Sequence, residues 1–116
     1  MHLEGSCHCR AVRFSVEAYA PYPYMRCYCS ICRKTGGGGG YAINLGATAA
    51  TLNVSGREHL RIYHALLGDP APPDKRTESP AERHFCGRCG TTCDGYRRCG
   101  SHPKLLFYRI NQLRNF

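Results

Sequence analysis

Seven of the chain's nine cysteines fall into three tight groups: Cys7 and Cys9 in CHC, Cys27, Cys29 and Cys32 in CYCSIC, and Cys86 and Cys89 in CGRC. Thiols so close in sequence either cross-link or hold a soft metal ion. Cross-linking belongs to oxidising compartments and small secreted domains. The N-terminal stretch MHLEGSCHCR has no basic segment leading into an apolar one, so no secretory leader is expected. An odd number of cysteines would also leave one thiol unpaired. The expectation is a reducing, cytoplasmic setting in which the clustered thiolates bind zinc.

A closed tetrahedral zinc site needs four ligands, and a C-x-x-C turn followed by glycine, as in CGRCG, supplies two. Sulfurs around one zinc lie ~3.8 Å apart at Zn–S bonds of ~2.3 Å, whereas i and i+2 on an extended strand are ~6.6 Å apart at Cα. Cys7 and Cys9 therefore need a bent backbone, and Gly5-Ser6 is the expected bend. Joining Cys7, Cys9, Cys86 and Cys89 closes one structural site and staples the start of the chain to its late middle. Cys27, Cys29 and Cys32 then form a three-ligand set with one open position, the arrangement of a catalytic zinc. Two other pairings stay open. The triplet could be sealed by a histidine, Cys93, Cys99 or a member of another group, or all three groups could feed one ribbon-like site. Cys93 and Cys99 themselves read as small apolar fillers or free thiols. His8 lies inside the first group and His84 flanks the last; either could ligate zinc, but a thiolate-rich site rarely needs them, so both read as solvent-facing or hydrogen-bonded.

Five glycines, 36 to 40, follow the triplet. With no Cβ, a bound molecule could lie against this backbone and take hydrogen bonds from its N–H groups, while the plainer alternative is a loose loop. No Gly-Lys-Ser/Thr follows, which excludes a nucleotide P-loop. Arg26, Arg33 and Lys34 adjoin the triplet, where they would attract a carboxylate-bearing thiol and favour its ionised form. Tyr24, Tyr28 and Tyr41 could wall such a site or equally be buried packing. The candidate substrate contacts are Arg33, Lys34, Gly36, Gly37 and Gly38.

The elements that must position these turns are short strands. RAVRFSVEA (10 to 18) alternates, with Val12, Phe14 and Val16 on one face and Arg13, Ser15 and Glu17 on the other. Further strands are expected at 41 to 45, 51 to 54, 59 to 65 and 105 to 110, with a turn at Ser55-Gly56. The segment 68 to 80, rich in proline, reads as a mobile surface loop. No window keeps a helical apolar stripe, so the 116 residues are expected to form one mostly β domain over 1–116.

The formal charge is +8, and seven thiolates with two zinc ions would bring it to about +5. A basic chain suits an anionic small molecule as well as a phosphate backbone. The basic residues are scattered and no reading helix is evident, which argues against nucleic acid. The competing reading is a non-catalytic zinc module contacting nucleic acid or a protein partner. No run approaches the ~18 apolar residues of a membrane span.

The blocks GSCHCRAVRF, CYCSICRKTGG and RHFCGRCGTT resemble the three signatures of the glutathione-dependent formaldehyde-activating enzyme family, which includes centromere protein V-type domains. The resemblance covers roughly residues 3 to 93. It implies a β-tent of small antiparallel sheets with two zinc ions per chain, Cys7, Cys9, Cys86 and Cys89 at the structural ion and Cys27, Cys29 and Cys32 at the catalytic one. The implied activity is that of a carbon–sulfur lyase joining glutathione and formaldehyde as S-hydroxymethylglutathione, with a small-molecule thiol and aldehyde as partners. After Thr92 the chain departs from the family, whose members commonly continue with an aromatic residue, often tryptophan, and a longer C-terminal segment.

Overall fold

The alternation of residues 12 to 18 organises the core. Val12, Phe14, Val16 and Ala18 are buried while Arg13 and Glu17 face water, the period of two that a strand with one covered face requires. In the computed structural model, which describes residues 1–18, 24–36, 39–96 and 105–109, this strand is β2 (Arg13–Glu17). It is flanked by β1 (His2–Ser6) and β5 (Asn53–Ser55) in a three-stranded antiparallel sheet ordered β1-β2-β5.

The second sheet is antiparallel and six-stranded. It comprises β3 (Tyr24–Cys27), β4 (Ala42–Thr48), β6 (Leu60–Leu67), β7 (Thr77–Cys86), β8 (Thr92–Tyr96) and β9 (Leu105–Arg109), in the order β3-β4-β9-β8-β7-β6. The two sheets share one apolar cluster, in which Leu3, Phe14, Val16 and Ala18 pack with Leu45 and Ala47 of β4. A bridge between Ala18, directly after β2, and Ala47 of β4 joins them. The fold is thus mostly β, as expected, and every sheet pairing is between antiparallel neighbours.

Several boundaries differ from expectation. Residues 10 to 12 form part of a turn, and the strands expected at 41, 51 and 59 begin at Ala42, Asn53 and Leu60. The segment 68 to 80 is shorter as a loop than its prolines suggest, because β7 already begins at Thr77 and carries Pro80 within it. Arg76 closes what remains, its side chain donating to Ala71 O and, at 3.1 Å, to Asp69 Oδ1. One helix is present among the described residues besides single 3-10 turns. It is α1 (Ser30–Thr35), six residues long, too short to show an amphipathic stripe.

Candidate metal centres

Two tight turns build the first centre. In CHC, Arg10 takes a left-handed conformation at φ 62, its N–H donates to Cys7 O at 3.0 Å and Cys7 N–H donates to Val12 O at 3.0 Å. In CGRCG, Gly90 stands at φ 74 and its N–H donates to Cys86 O at 2.8 Å. Each turn is closed by one left-handed residue directly after its second cysteine, which curls both side chains to one side. The bend expected at Gly5-Ser6 therefore lies one turn later. Gly5 and Ser6 are inside β1, paired with Phe14 and Arg13, because the ladder to β2 keeps them extended.

The sulfurs of Cys7, Cys9, Cys86 and Cys89 all lie within 4.8 Å of one another. Cys7 Sγ is 3.5 Å from Cys9 Sγ, and Cys9 Sγ is 3.8 Å from Cys86 Sγ, against the ~3.8 Å edge of a zinc tetrathiolate. The donor set fits a tetrahedral zinc ion on both number and spacing. Cys7 and Cys86 are buried in an apolar cluster with Val12 and Cys93, and Cys9 and Cys89 face outward. Val12 N–H donates to Cys7 Sγ at 3.3 Å, and the Thr91 hydroxyl is 3.2 Å from Cys89 Sγ. That hydroxyl, with backbone N–H groups of Cys9 and Thr91, holds the Cys89 thiol down at about 5. At Cys9 the Ala11 N–H acts in the same direction, yet burial and the neighbouring thiols of Cys7, Cys89 and Cys86 push it up to about 11.

The second centre is built by β3 and α1. β3 delivers Cys27, Cys29 caps the helix with its sulfur accepting from Cys32 N–H at 3.3 Å, and Cys32 lies one turn in. Their three sulfurs lie within 4.8 Å of one another, and no further His, Cys, Asp or Glu joins them among the described residues. This set fits a metal ion with one coordination position not filled by those side chains. Burial opposes ionisation at both helix thiols. At Cys29 the N–H groups of Cys32 and Ile31 and the thiols of Cys27 and Cys32 outweigh it and bring the group to about 7. At Cys32 burial, reinforced by Cys27 and Cys29, pushes the thiol up to about 11 against the pull of Arg83.

The other expected site residues divide. Arg33 and Lys34 are exposed in the last turn of α1, a favourable place for cations at a helix end. Gly36 caps the helix at φ −83, donating its N–H to Cys32 O at 2.8 Å. Gly37 and Gly38 lie outside the described residues, as do Cys99 and the side chain of Tyr24. Gly39 and Gly40 stand at φ 91 and 75, which accounts for glycine there by backbone conformation. Tyr28 and Tyr41 do meet, their rings tilted by 45° with centroids 5.4 Å apart, and the Arg26 guanidinium lies 5.5 Å from the Tyr41 ring centre. Cys93 is buried but joins neither set of candidate ligands, its thiol donating to Thr91 O at 3.4 Å. His84 bonds Glu82 Oε2 at 3.0 Å, and His8 joins neither sulfur group. Missed by spacing alone are Arg83, whose two terminal nitrogens each lie 3.9 Å from Cys32 Sγ, and the pair Thr91-Thr92.

The sequence model of the family described as Glutathione-dependent formaldehyde-activating enzyme matches residues 2–110, both cysteine centres included. The chain belongs to this family. A family relative from Halomonas elongata, named as a candidate glutathione-dependent formaldehyde-activating enzyme, is 62% identical over 91 residues, 78% of this chain and 54% of that protein. The chain thus spans about half the length of this curated relative. The crystal structure of a Rhodobacter sphaeroides protein superposes with a TM-score of 0.71 at 30% identity, covering 97% of this chain and 89% of that one. Among the described residues no helix is long and apolar enough to cross a membrane.

Proposed function

We propose that the chain is a zinc-dependent carbon–sulfur lyase that handles the adduct of glutathione, or a closely related thiol, with formaldehyde. One observation carries this reading: four sulfurs gather at one centre and three at the other. Cys7, Cys9, Cys86 and Cys89 would hold a structural zinc, and Cys27, Cys29 and Cys32 a second with room for a substrate atom. Family membership supports the thiol and aldehyde as substrates. A zinc ion bound by the triplet would supply Lewis acidity and favour a thiolate at neutral pH.

In the reaction the thiol sulfur adds to the aldehyde carbon. One S–C bond forms, the C=O π bond becomes a hydroxyl that receives the thiol's proton, and no oxidant or reductant is consumed. The chain's part is chiefly to hold both reactants together, which removes the entropy cost of a bimolecular encounter. Cys29 is exposed and Cys32 buried, so the centre opens to solvent at Cys29, and Tyr28, Arg33 and Lys34, adjacent in sequence to the triplet, are also exposed. These cations suit the carboxylates of a peptide thiol. A reducing compartment such as the cytoplasm would keep all seven thiols available.

Metal analysis and adduct kinetics test the proposal together. Reduced protein is expected to hold two zinc ions per chain and to accelerate adduct formation from glutathione and formaldehyde. Cys29→Ser should lose one ion and the acceleration while keeping its circular dichroism spectrum. A fully loaded chain with a single zinc would overturn the reading.

A further inference from the structure

Arg83 lies in β7, three residues before Cys86, so one strand carries a ligand of the first centre and a neighbour of the second. Its Cα partners are Tyr63 on β6 and Gly95 on β8, and the glycine puts no side chain beside it. Both terminal nitrogens lie 3.9 Å from Cys32 Sγ. Cys32 is only 5% exposed, which limits how far water can solvate that sulfur. Arg83 Nε is fully shielded and has no hydrogen-bond partner among the described residues. A guanidinium is costly to bury with an unmet N–H, and among the described residues no carboxylate forms an ion pair with Arg83. What it does face is a set of three sulfurs that, ionised around a divalent cation, carry one net negative charge.

We propose that Arg83 is the positioning residue of the Cys27-Cys29-Cys32 centre, neutralising the metal-loaded thiolates and holding Cys32 Sγ in its ligating place. The inference rests on reading that group as a metal centre. Arg33 and Lys34 are exposed and point to a role at the rim, whereas Arg83 lies beside the one buried sulfur of the triplet. Arginine suits the position because its fork can donate twice to one large acceptor and cannot lose its charge.

The test is competition of the reduced full chain against a chromophoric zinc chelator, with cobalt substitution reporting the thiolate-to-metal absorption of each centre. Wild type should bind two ions. Arg83→Met should keep the first ion and weaken the second by about 10- to 100-fold, the usual effect of losing a group that bonds a metal ligand. Its second-site cobalt band should shift, and Arg83→Lys should recover part of the affinity through its charge. If Arg83→Met fails to fold, Arg83→Gln, which keeps donors and drops the charge, is compared with Arg83→Lys in its place. Two ions bound with wild-type affinity and an unchanged cobalt band in the uncharged variant would overturn the role of Arg83 alone. So would a lysine variant no better than the uncharged one. A wild-type chain that takes only one ion would overturn this inference and the metal reading together.

Discussion

Thr92 donates its hydroxyl to the Thr35 carbonyl at 3.2 Å, tying the first residue of β8 to the last residue of α1. The strand that leaves the Cys86–Cys89 turn thereby holds the helix whose first turn contains Cys32. Its neighbour Thr91 serves the other centre, its Oγ1 lying 3.2 Å from Cys89 Sγ and accepting from His8 N–H at 3.2 Å. Two adjacent hydroxyls thus support two different sulfur groups.

The pair should separate by substitution. Thr92→Val keeps the shape and removes the donor, so it is expected to cost about 1 kcal/mol of stability and, on the proposed metal reading, to weaken metal binding at the second centre while sparing the first. Thr91→Val should weaken the first. Chelator competition on both variants checks the pairing, and equal losses at both centres would contradict it.

Cys86 and Cys29 should differ in kind. Cys86 is fully buried at the end of β7, inside the apolar cluster that also holds Cys7 and Val12, so its ion would be bound as part of folding. Chelation of an ion held there, or Cys86→Ser, is expected to remove cooperative thermal unfolding altogether, since structural metal sites contribute folding free energy outright. Cys29→Ser alters an exposed capping sulfur and should lower the midpoint by only a few degrees. Calorimetry with and without chelator distinguishes them.

What the sequence disclosed follows from what each residue's surroundings demand. β2 was legible because one face is apolar and the other wet, and the cysteine groups were legible because ligand spacing is local. β1 was not, since only Leu3 among its five residues is a large apolar side chain and Gly5 argues against a strand. β7 was hidden by Pro80, Glu82 and Arg83. It is flanked on both sides by strands, and its backbone is paired along the ladders to β6 and β8, so tertiary pairing overrides composition. Arg83 had no local signal, because an arginine within a strand reads as surface until the helix carrying Cys32 is folded beside it.

The unexpected β1 gives a stability prediction. Leu3 is 1% exposed and sits opposite Val16 at the centre of the shared cluster. Leu3→Ala should cost about 2–5 kcal/mol, measurable as a shift of the urea midpoint in the metal-loaded protein. A loss below about 1 kcal/mol would mean that β1 is not part of the cooperative core.

Two glycines should respond to alanine for different reasons. Gly56 stands at φ 79, and a Cβ there would come 1.9 Å from the Ala11 carbonyl oxygen and 2.9 Å from its carbon. That backbone leads into Val12, whose N–H donates to Cys7 Sγ at 3.3 Å, so displacing it also disturbs a sulfur of the first centre. Gly40 has a similar φ of 75 but nothing within 4 Å of the added atom. Gly40→Ala should therefore cost only the left-handed strain, about 1–2 kcal/mol, and leave metal affinity unchanged. Gly56→Ala adds a clash that backbone must absorb, for about 2–5 kcal/mol in all, with weaker metal binding at the first centre. Urea unfolding beside chelator competition reads both quantities, and equal effects of the two substitutions would show that the Ala11–Val12 peptide yields without disturbing Cys7.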